Sequence, residues 1–231
     1  MSVEGGPDIV TDGLVLHLDA ANNRSYPGTG TTWTDLTSNK FTGSFVNGPT
    51  FNSGNAGGIV FDGTNDYIEI PNNAAINPTS AVTLCSFFRI NGFGSNLGPI
   101  IFKKNTRSAQ FEQYSLAVGT NSIVTIMSNS GGTQIVRTIP YTYGTLTFVT
   151  AIFNPAGGNM SLYRNGILED SVSISISFDV STEPLRIGGI PVIYTGYANG
   201  TIYTAQIYNR ALSAKEIRQN YNATKGRYGL F

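Results

Sequence analysis

The sequence predicts an all-β domain that ends in one short helix. Apolar and polar residues alternate with a period of two along most of the chain, and turns rich in Gly and Asn separate the alternating segments. A helix-capping pattern occurs only near the C-terminus. The spacing of the alternating segments is typical of a β-sandwich or a β-barrel.

The first alternating segment is LVLHLD, which places Leu14, Leu16 and Leu18 on one face. Similar segments predict strands at 59–62, 67–70, 82–90, 100–103, 114–118, 123–127, 146–153, 160–163, 185–187 and 201–208. Two of them, 82–90 and 146–153, carry apolar side chains on both faces. A strand of this kind is either central and covered on both sides, or has one face that lines a concavity or an interface. We expect these two strands to lie in the middle of the sheets.

Local signals mark one hairpin and one helix. Asn165-Gly166 supplies the two residues with positive φ that a type I′ hairpin turn needs. Ser213 and Glu216 form a capping box, in which each side chain accepts a hydrogen bond from the other residue's backbone N–H. The pattern predicts a short helix over about 214–223 that ends near Gly226.

The 231 residues read as one domain with an arm at its start. Residues 1–12 contain Gly5-Gly6-Pro7 and lack a strand pattern, so we expect an N-terminal arm, followed by a β-sandwich or barrel domain over 13–231. The single cysteine, Cys85, cannot form a disulfide within the chain, so packing and sheet pairing must supply the stability.

The charge balance limits the classes of partner. The chain has 14 basic and 14 acidic side chains and no run of Lys or Arg, so a nucleic-acid partner is disfavoured. The first residues lack a basic region followed by an apolar stretch, and no apolar segment approaches the length of a membrane span. We therefore expect a protein without a signal peptide, without a transmembrane segment and without membrane insertion.

Four segments together carry a resemblance to a known family. They are GLVLHLDAANNRSY, IVFDGTNDYIEIP, SLYRNGILED with LRIGG after it, and GTIYTAQIYNRALSAKEIRQNY. In this order they resemble the laminin-G-like jelly-roll domain of the concanavalin A-like lectin/glucanase superfamily, over nearly the whole chain from Gly13 to Tyr221. The resemblance implies a two-sheet antiparallel jelly-roll sandwich.

The opening strand and the loop SYPGTGTTWTDLTSN after it resemble laminin-G-like domains of tailed bacteriophages, including cyanophages, where they serve as virion structural proteins. This resemblance implies a virion protein that is made in the host cytoplasm. It would decorate a capsid or belong to a tail, and would contact other virion proteins or copies of itself. The alternative is a carbohydrate-binding adhesion module that recognises a host surface glycan. Fold alone does not decide between the two.

The sequence offers no catalytic residues. The superfamily includes laminarinase-type glycosidases, whose catalytic strand carries a motif that resembles E-x-D-x-x-E. This spacing matters because two carboxylates on one side of the strand must flank the scissile bond. No glutamate begins that motif; the glutamates are Glu4, Glu69, Glu112, Glu169, Glu183 and Glu216. His17 is the only histidine, and we interpret it and Cys85 as residues of strands rather than of a catalytic site. We therefore expect a protein that is not an enzyme.

One acidic loop is a candidate metal site. Asp62 and Asp66 flank Gly-Thr-Asn, and some laminin-G-like relatives bind calcium at loops of this sort. The alternative is a turn in which both aspartates accept hydrogen bonds from backbone N–H groups. Relatives commonly carry acidic residues where this chain has Tyr203 and Thr204, so we favour the turn and expect no cofactor.

Two aromatic–polar groups are candidates for sugar contacts, Trp33 with Asp35 and Tyr141 with Tyr143. Aromatic residues in a β-rich chain are more often part of the core, and Trp33 alternates with polar Thr32 and Thr34 as an inward residue would.

The chain end carries apolar residues beyond the predicted helix, Tyr228, Leu230 and Phe231. Together with the N-terminal arm they predict either an assembly contact or docking onto the domain itself.

Overall fold

The computed structural model describes residues 8–104, 112–129, 131–179, 181–191 and 195–230. Residues 1–7 of the predicted arm and Phe231 lie outside the described residues. The strands are Leu14–Asp19 (β1), Thr32–Thr34 (β2), Thr42–Val46 (β3), Thr50–Asn52 (β4), Gly58–Asp62 (β5), Tyr67–Ile70 (β6), Val82–Phe93 (β7), Gly98–Lys104 (β8), Glu112–Gly119 (β9), Ser122–Ser128 (β10), Gln134–Pro140 (β11), Thr147–Asn154 (β12), Asn159–Arg164 (β13), Ile167–Ser173 (β14), Leu185–Ile187 (β15), Gly189–Ile190 (β16), Gly196–Ile202 (β17) and Thr204–Tyr208 (β18). The helix Ala214–Lys225 (α1) follows, and 3₁₀ turns lie at Ala74–Ile76 and Gly226–Tyr228.

The strands form two antiparallel sheets. The larger sheet has the order β14-β13-β12-β7-β17-β5-β4, with β18 beside β7, β1 beside β18 and β16 beside β17. The smaller sheet has the order β11-β10-β9-β8-β15-β6-β3-β2. Several pairings join strands that are far apart in the sequence, such as β1 with β18 and β7 with β17, so long-range pairing holds the fold together. The all-β, two-sheet antiparallel sandwich with a C-terminal helix is confirmed.

The main core fills the space between the two sheets. Its largest side chains include Trp33, Phe61, Phe88, Tyr114 and Phe153, each at most 1% exposed. Their burial stabilises the sandwich because removing apolar surface from water contributes about 25 cal/mol per Å². The inward position predicted for Trp33 is confirmed.

The two strands with two apolar faces are neighbours in the larger sheet, as expected. In the pairing of β7 with β12, Leu84 lies opposite Ala151 and faces the main core, whereas Phe87 lies opposite Phe148 and faces away from it. The outward side is also buried, because α1 and the chain ends cover it. Burial raises the pKa of the Cys85 thiol there to about 12, so Cys85 is a buried apolar residue and not a reactive thiolate.

The capping box forms as predicted. Ser213 Oγ accepts a hydrogen bond from the Glu216 N–H at 3.4 Å, and Glu216 Oε2 accepts one from the Ser213 N–H at 2.8 Å. Arg210 donates to the same carboxylate and holds the pKa of Glu216 down at about 2. The helix extends to Lys225, slightly beyond the predicted end, and the chain continues through the 3₁₀ turn to Gly229, whose φ of 70° is left-handed.

Both described chain ends dock onto the domain. Val10 is buried, its N–H donates to Asn220 Oδ1 at 2.8 Å, and its carbonyl accepts from Tyr208 Oη at 3.0 Å. At the other end, the Tyr228 ring lies 4.6 Å from the Phe87 ring. Leu230 is half-buried against the same cluster. Tyr228 and Leu230 therefore dock onto the domain itself, whereas an assembly contact at this chain end stays a prediction.

None of the helices in the described residues combines the length and the apolar character that crossing a membrane requires.

Removing the Tyr228 ring should destabilise the domain. Tyr228→Ala is expected to lower the free energy of unfolding by about 3 kcal/mol, the low end for deleting a large buried aromatic, because the chain end can relax. Urea denaturation followed by circular dichroism measures this, with Asn222→Ala on the exposed side of α1 as the control. An unfolding curve for Tyr228→Ala that overlaps that of the control would contradict the docked C-terminus.

The helix cap should also contribute measurably. Ser213→Ala is expected to reduce the free energy of unfolding by about 1 kcal/mol, because the Glu216 N–H loses its acceptor. The matched control is Lys215→Ala, an exposed residue in the same helical turn. Equal stabilities for the two variants in the same denaturation experiment would show that the cap does not matter.

Candidate functional site

The loop between β5 and β6 holds the two candidate metal ligands. Asp62 Oδ1 accepts hydrogen bonds from the N–H groups of Thr64 at 2.7 Å and Asn65 at 3.4 Å. Asp66 Oδ2 accepts from the Asp62 N–H at 3.2 Å. The Thr64 N–H is the main cause that lowers the pKa of Asp62, whereas burial, followed by the charge of Asp62, raises the pKa of Asp66. Both carboxylates therefore act as acceptors within a turn.

The loop offers two carboxylates to a metal. Calcium takes six to eight oxygen ligands, and the described residues contain no group of three or more Asp, Glu, His or Cys side chains that could hold a metal. Tyr203 is buried. Thr204 Oγ1 accepts from the Phe87 N–H at 3.0 Å, and the Thr204 carbonyl accepts from Ser86 Oγ at 2.6 Å. Tyr203 and Thr204 stand where the sequence resemblance implies acidic residues. Both pack within the larger sheet.

The Trp33–Asp35 group is part of the interior and cannot stack on a sugar. Trp33 is fully buried, and the Asp35 carboxylate accepts from the backbone N–H groups of His17 at 2.8 Å and Thr37 at 3.0 Å. Burial lowers the pKa of His17, although Asp19 and Asp35 act in the opposite direction. His17 is thus a half-buried strand residue, as predicted.

The Tyr141–Tyr143 group splits into a buried and an accessible ring. Tyr141 is 3% exposed, and its hydroxyl accepts from the Ile90 N–H at 3.0 Å and donates to the Thr145 carbonyl at 2.8 Å. Burial raises the pKa of Tyr141 to about 12. Tyr143 is only half-buried, and its hydroxyl donates to the Gly119 carbonyl at 3.1 Å. Of these two tyrosines, only Tyr143 can offer a ring face to a ligand.

Tyr143 lies in a surface cleft of about 440 Å³, within the usual range for small-molecule sites. We call it the Tyr143 cleft, and its lining residues are Asn121, Pro140, Tyr141, Thr142, Tyr143 and Arg164. The Tyr143 ring is held edge-on against the rings of Tyr141, at 6.2 Å, and Phe93, at 6.5 Å. The aromatic wall of the cleft is therefore fixed before any ligand arrives.

Three connections of the fold meet to form this cleft. Asn121 lies in the turn between β9 and β10 with a φ of 50°, and its carbonyl accepts from the Tyr141 N–H at 2.9 Å. The segment from Tyr141 to Leu146 crosses from the smaller sheet to the larger one and turns at Gly144, whose φ is 78°. Arg164 ends β13, directly before the Asn165-Gly166 turn, where both residues have positive φ as predicted.

Two polar side chains of the cleft keep hydrogen-bonding capacity. The Asn121 side-chain amide makes no hydrogen bond to a described residue, and Asn121 is exposed. Arg164 Nη2 donates to Glu169 Oε2 at 2.7 Å and to the Pro140 carbonyl. Arg164 Nε is buried and lacks a partner within the described chain. Sequence reasoning missed Asn121 and Arg164, and no local pattern joins them to Tyr143.

A second cavity, of about 510 Å³, lies beside His17 and the described start of the chain. Its lining residues are Asp8, Ile9, Thr11, Leu14, His17, Leu36, Thr37 and Ser38. None of these is a Tyr, Trp or Phe, so this cavity lacks the flat ring on which a sugar stacks. The Tyr143 cleft is the better candidate for a glycan site.

Comparison with known families identifies the group. Residues 62–218, more than half of the chain, match the family described as the concanavalin A-like lectin/glucanases superfamily. The chain belongs to this superfamily. The fold described above is thus that of a lectin-type domain. It includes the sandwich, the larger sheet that is covered on both sides and the hairpin at Asn165-Gly166.

Several solved structures share the fold. The binding domain of botulinum neurotoxin DC in complex with SialylT is similar with a TM-score of 0.70 and 18% identity over 92% of this chain and 52% of that one. A structure of botulinum neurotoxin type C, whose cell entry is described as dependent upon interaction with two ganglioside molecules, has a TM-score of 0.70 and 18% identity over 91% of this chain and 51% of that one. The binding domain of Paraclostridial Mosquitocidal Protein 1 has a TM-score of 0.69 and 18% identity over 91% and 52%.

The lectin-type chain spans about half the length of these structures, and at this identity the likeness shows the fold alone. No curated protein matches it. These neighbours are toxin binding domains and not phage proteins, so the resemblance to virion proteins gains no support from them.

Chelation should not change the stability of this domain. Because Asp62 and Asp66 already accept backbone hydrogen bonds within the turn, we expect no bound calcium, and EGTA should leave the melting temperature unchanged. Asp66→Asn should melt at the same or a higher temperature, because it relieves the burial of a charge and its repulsion by Asp62. Differential scanning calorimetry measures both. A fall with EGTA that added calcium reverses would restore the calcium interpretation.

Proposed function

We propose that this protein is a carbohydrate-binding adhesion module that recognises a surface glycan through the Tyr143 cleft. The observation that carries the proposal is the half-buried Tyr143 ring, which lines a cleft of about 440 Å³ together with polar side chains that have spare hydrogen-bonding capacity. Sugars combine an apolar ring face with hydroxyl groups, so a fixed aromatic ring beside amide and guanidinium donors is complementary to them.

Each cleft residue has a distinct part in this proposal. Tyr143 supplies the surface on which a pyranose ring stacks. The Asn121 amide can donate to one hydroxyl and accept from another, and the exposed Thr142 hydroxyl can do the same. The buried Tyr141 holds the loop in place through Ile90 and Thr145. A cleft that is rigid beforehand loses little conformational freedom on binding.

The similar structures support this choice over a virion structural role. One is a binding domain in complex with SialylT. Another belongs to a toxin whose cell entry is described as dependent upon interaction with two ganglioside molecules. Both descriptions concern glycan-bearing ligands of those proteins. Capsid decoration or a place in a phage tail stays a prediction from the opening segment alone, and an adhesion module of this kind is compatible with either location.

We further propose that the module binds without catalysis. Four glutamates in the described residues pair with a cation: Glu69 with Arg186, Glu169 with Arg164, Glu183 with Lys104 and Glu216 with Arg210. Glu112 instead accepts from the Gln134 amide, and burial raises its pKa, but it does not line the Tyr143 cleft. A carboxylate held by a cation is stabilised in its charged form and is a poor general acid at neutral pH. This supports recognition rather than hydrolysis of a glycan.

The cleft is tested by removing its ring. Tyr143→Ala is expected to weaken binding of any glycan found on an array by about tenfold or more, since the stacking surface is lost. The control is Tyr221→Ala, a half-buried tyrosine on α1, outside the cleft. Affinities are measured by isothermal titration after both variants are shown to melt well above the assay temperature. Unchanged affinity in Tyr143→Ala would place the glycan elsewhere, and no binding on the array would refute the proposed function.

A further inference from the structure

We propose that the Tyr143 cleft selects acidic sugars, which carry a carboxylate or a sulfate, and that Arg164 makes this selection. The inference rests on the proposed function and names the class of glycan that the cleft takes.

The charge of the lining is the first observation. Among the described residues that line the cleft, Arg164 is the one with a charge, and none is a carboxylate. The chain as a whole is neutral, with 14 basic and 14 acidic side chains. The cleft therefore carries one cation in its lining, on a protein that does not attract anions in general, and the carboxylate that pairs with this cation, Glu169, is not a lining residue.

The hydrogen bonds of Arg164 are the second observation. Nη2 is anchored by Glu169 and by the Pro140 carbonyl, so the direction of the guanidinium is set before a ligand arrives. Nη1 makes no hydrogen bond to a described residue and its N–H groups remain for a ligand, whereas Nε is buried and out of a ligand's reach. A guanidinium forms its strongest hydrogen bonds with carboxylates and other oxyanions. The donors that remain on Arg164 thus favour an anionic group over a hydroxyl.

A nearby arginine shows what a saturated guanidinium looks like in this protein. Arg137 on β11 donates from Nε and Nη2 to the two oxygens of Asp170, at 2.5 and 2.7 Å. That bidentate pair satisfies both charges, so Arg137 has little to offer an anion. Arg164 makes only a single contact to Glu169, and the Glu169 side chain is 31% exposed, so water weakens this pair. The two arginines are a natural test pair.

The experiment compares glycans that differ only in an acidic group. Wild-type protein is titrated with sialyllactose and lactose, and with a sulfated and an unsulfated galactoside, so that carboxylate and sulfate are examined separately. We expect the acidic partner of at least one pair to bind about tenfold tighter or more, as one charge-assisted hydrogen bond provides. Raising the salt concentration should weaken only the acidic partner.

The variants then assign the selectivity. Arg164→Gln is expected to remove the preference, so that the acidic and neutral partners of a pair bind with equal affinity, whereas the control Arg137→Gln keeps the preference. Glu169→Gln provides an independent test that leaves Arg164 in place. Removing the competing carboxylate should make acidic sugars bind tighter without affecting neutral ones, and it serves if Arg164→Gln does not fold.

Each outcome decides a separate point. Equal wild-type affinities for acidic and neutral sugars, with binding still lost in Tyr143→Ala, would overturn acid selection and leave the glycan-binding function standing. An acid preference that survives Arg164→Gln would move the selection to another residue. Absence of binding to every glycan would overturn the proposed function together with this inference.

Discussion

Strands β7 and β12 are apolar on both faces, so the larger sheet must be covered on both sides. The smaller sheet covers one face and builds the main core around Phe88 and Phe153. The helix α1 and both described chain ends cover the other face, around Phe87 and Phe148. If either cover were lost, large aromatic side chains would be exposed to water, at a free-energy cost of about 25 cal/mol per Å². This constraint explains why Val10 and Tyr228, at opposite ends of the sequence, are both buried.

The connection between the two sheets places the candidate site. The chain must pass from β11 in the smaller sheet to β12 in the larger one, and it does so over one end of the sandwich. Tyr141 secures that crossing by bonding to Ile90 on β7 and to Thr145. Tyr143 is two residues further along, where it is half-buried and packs at the edge of the main core. A residue buried for stability thereby holds a neighbouring residue accessible for binding, on a rigid support.

Charge is used sparingly in this protein and is mostly paired. Arg137 with Asp170 and Arg210 with Glu216 are examples in which the cation is well matched by a carboxylate. Such pairs position chain segments more than they add stability, because water screens exposed charges. Arg164 also pairs with a carboxylate, Glu169, but by a single contact, and it lines a cleft with Nη1 left for a ligand. An incompletely paired cation in a neutral, low-charge surface is therefore a more specific signal here than it would be in a highly charged protein.

The sequence by itself determined the local structure: the alternating strands, the two-faced segments 82–90 and 146–153, the turn at Asn165-Gly166 and the capping box at Ser213. Each depends on side chains close together in the sequence, where periodicity and turn chemistry act. Tyr143, Tyr141 and Trp33 were equal candidates for a sugar contact from the sequence. Only the fold separated them, because it buries Tyr141 and Trp33 and leaves Tyr143 half-buried. The cleft itself was decided by tertiary structure, because Asn121, Tyr143 and Arg164 come from separate connections that meet only when the two sheets pack. Long-range pairing of this kind leaves no periodic trace in a single sequence.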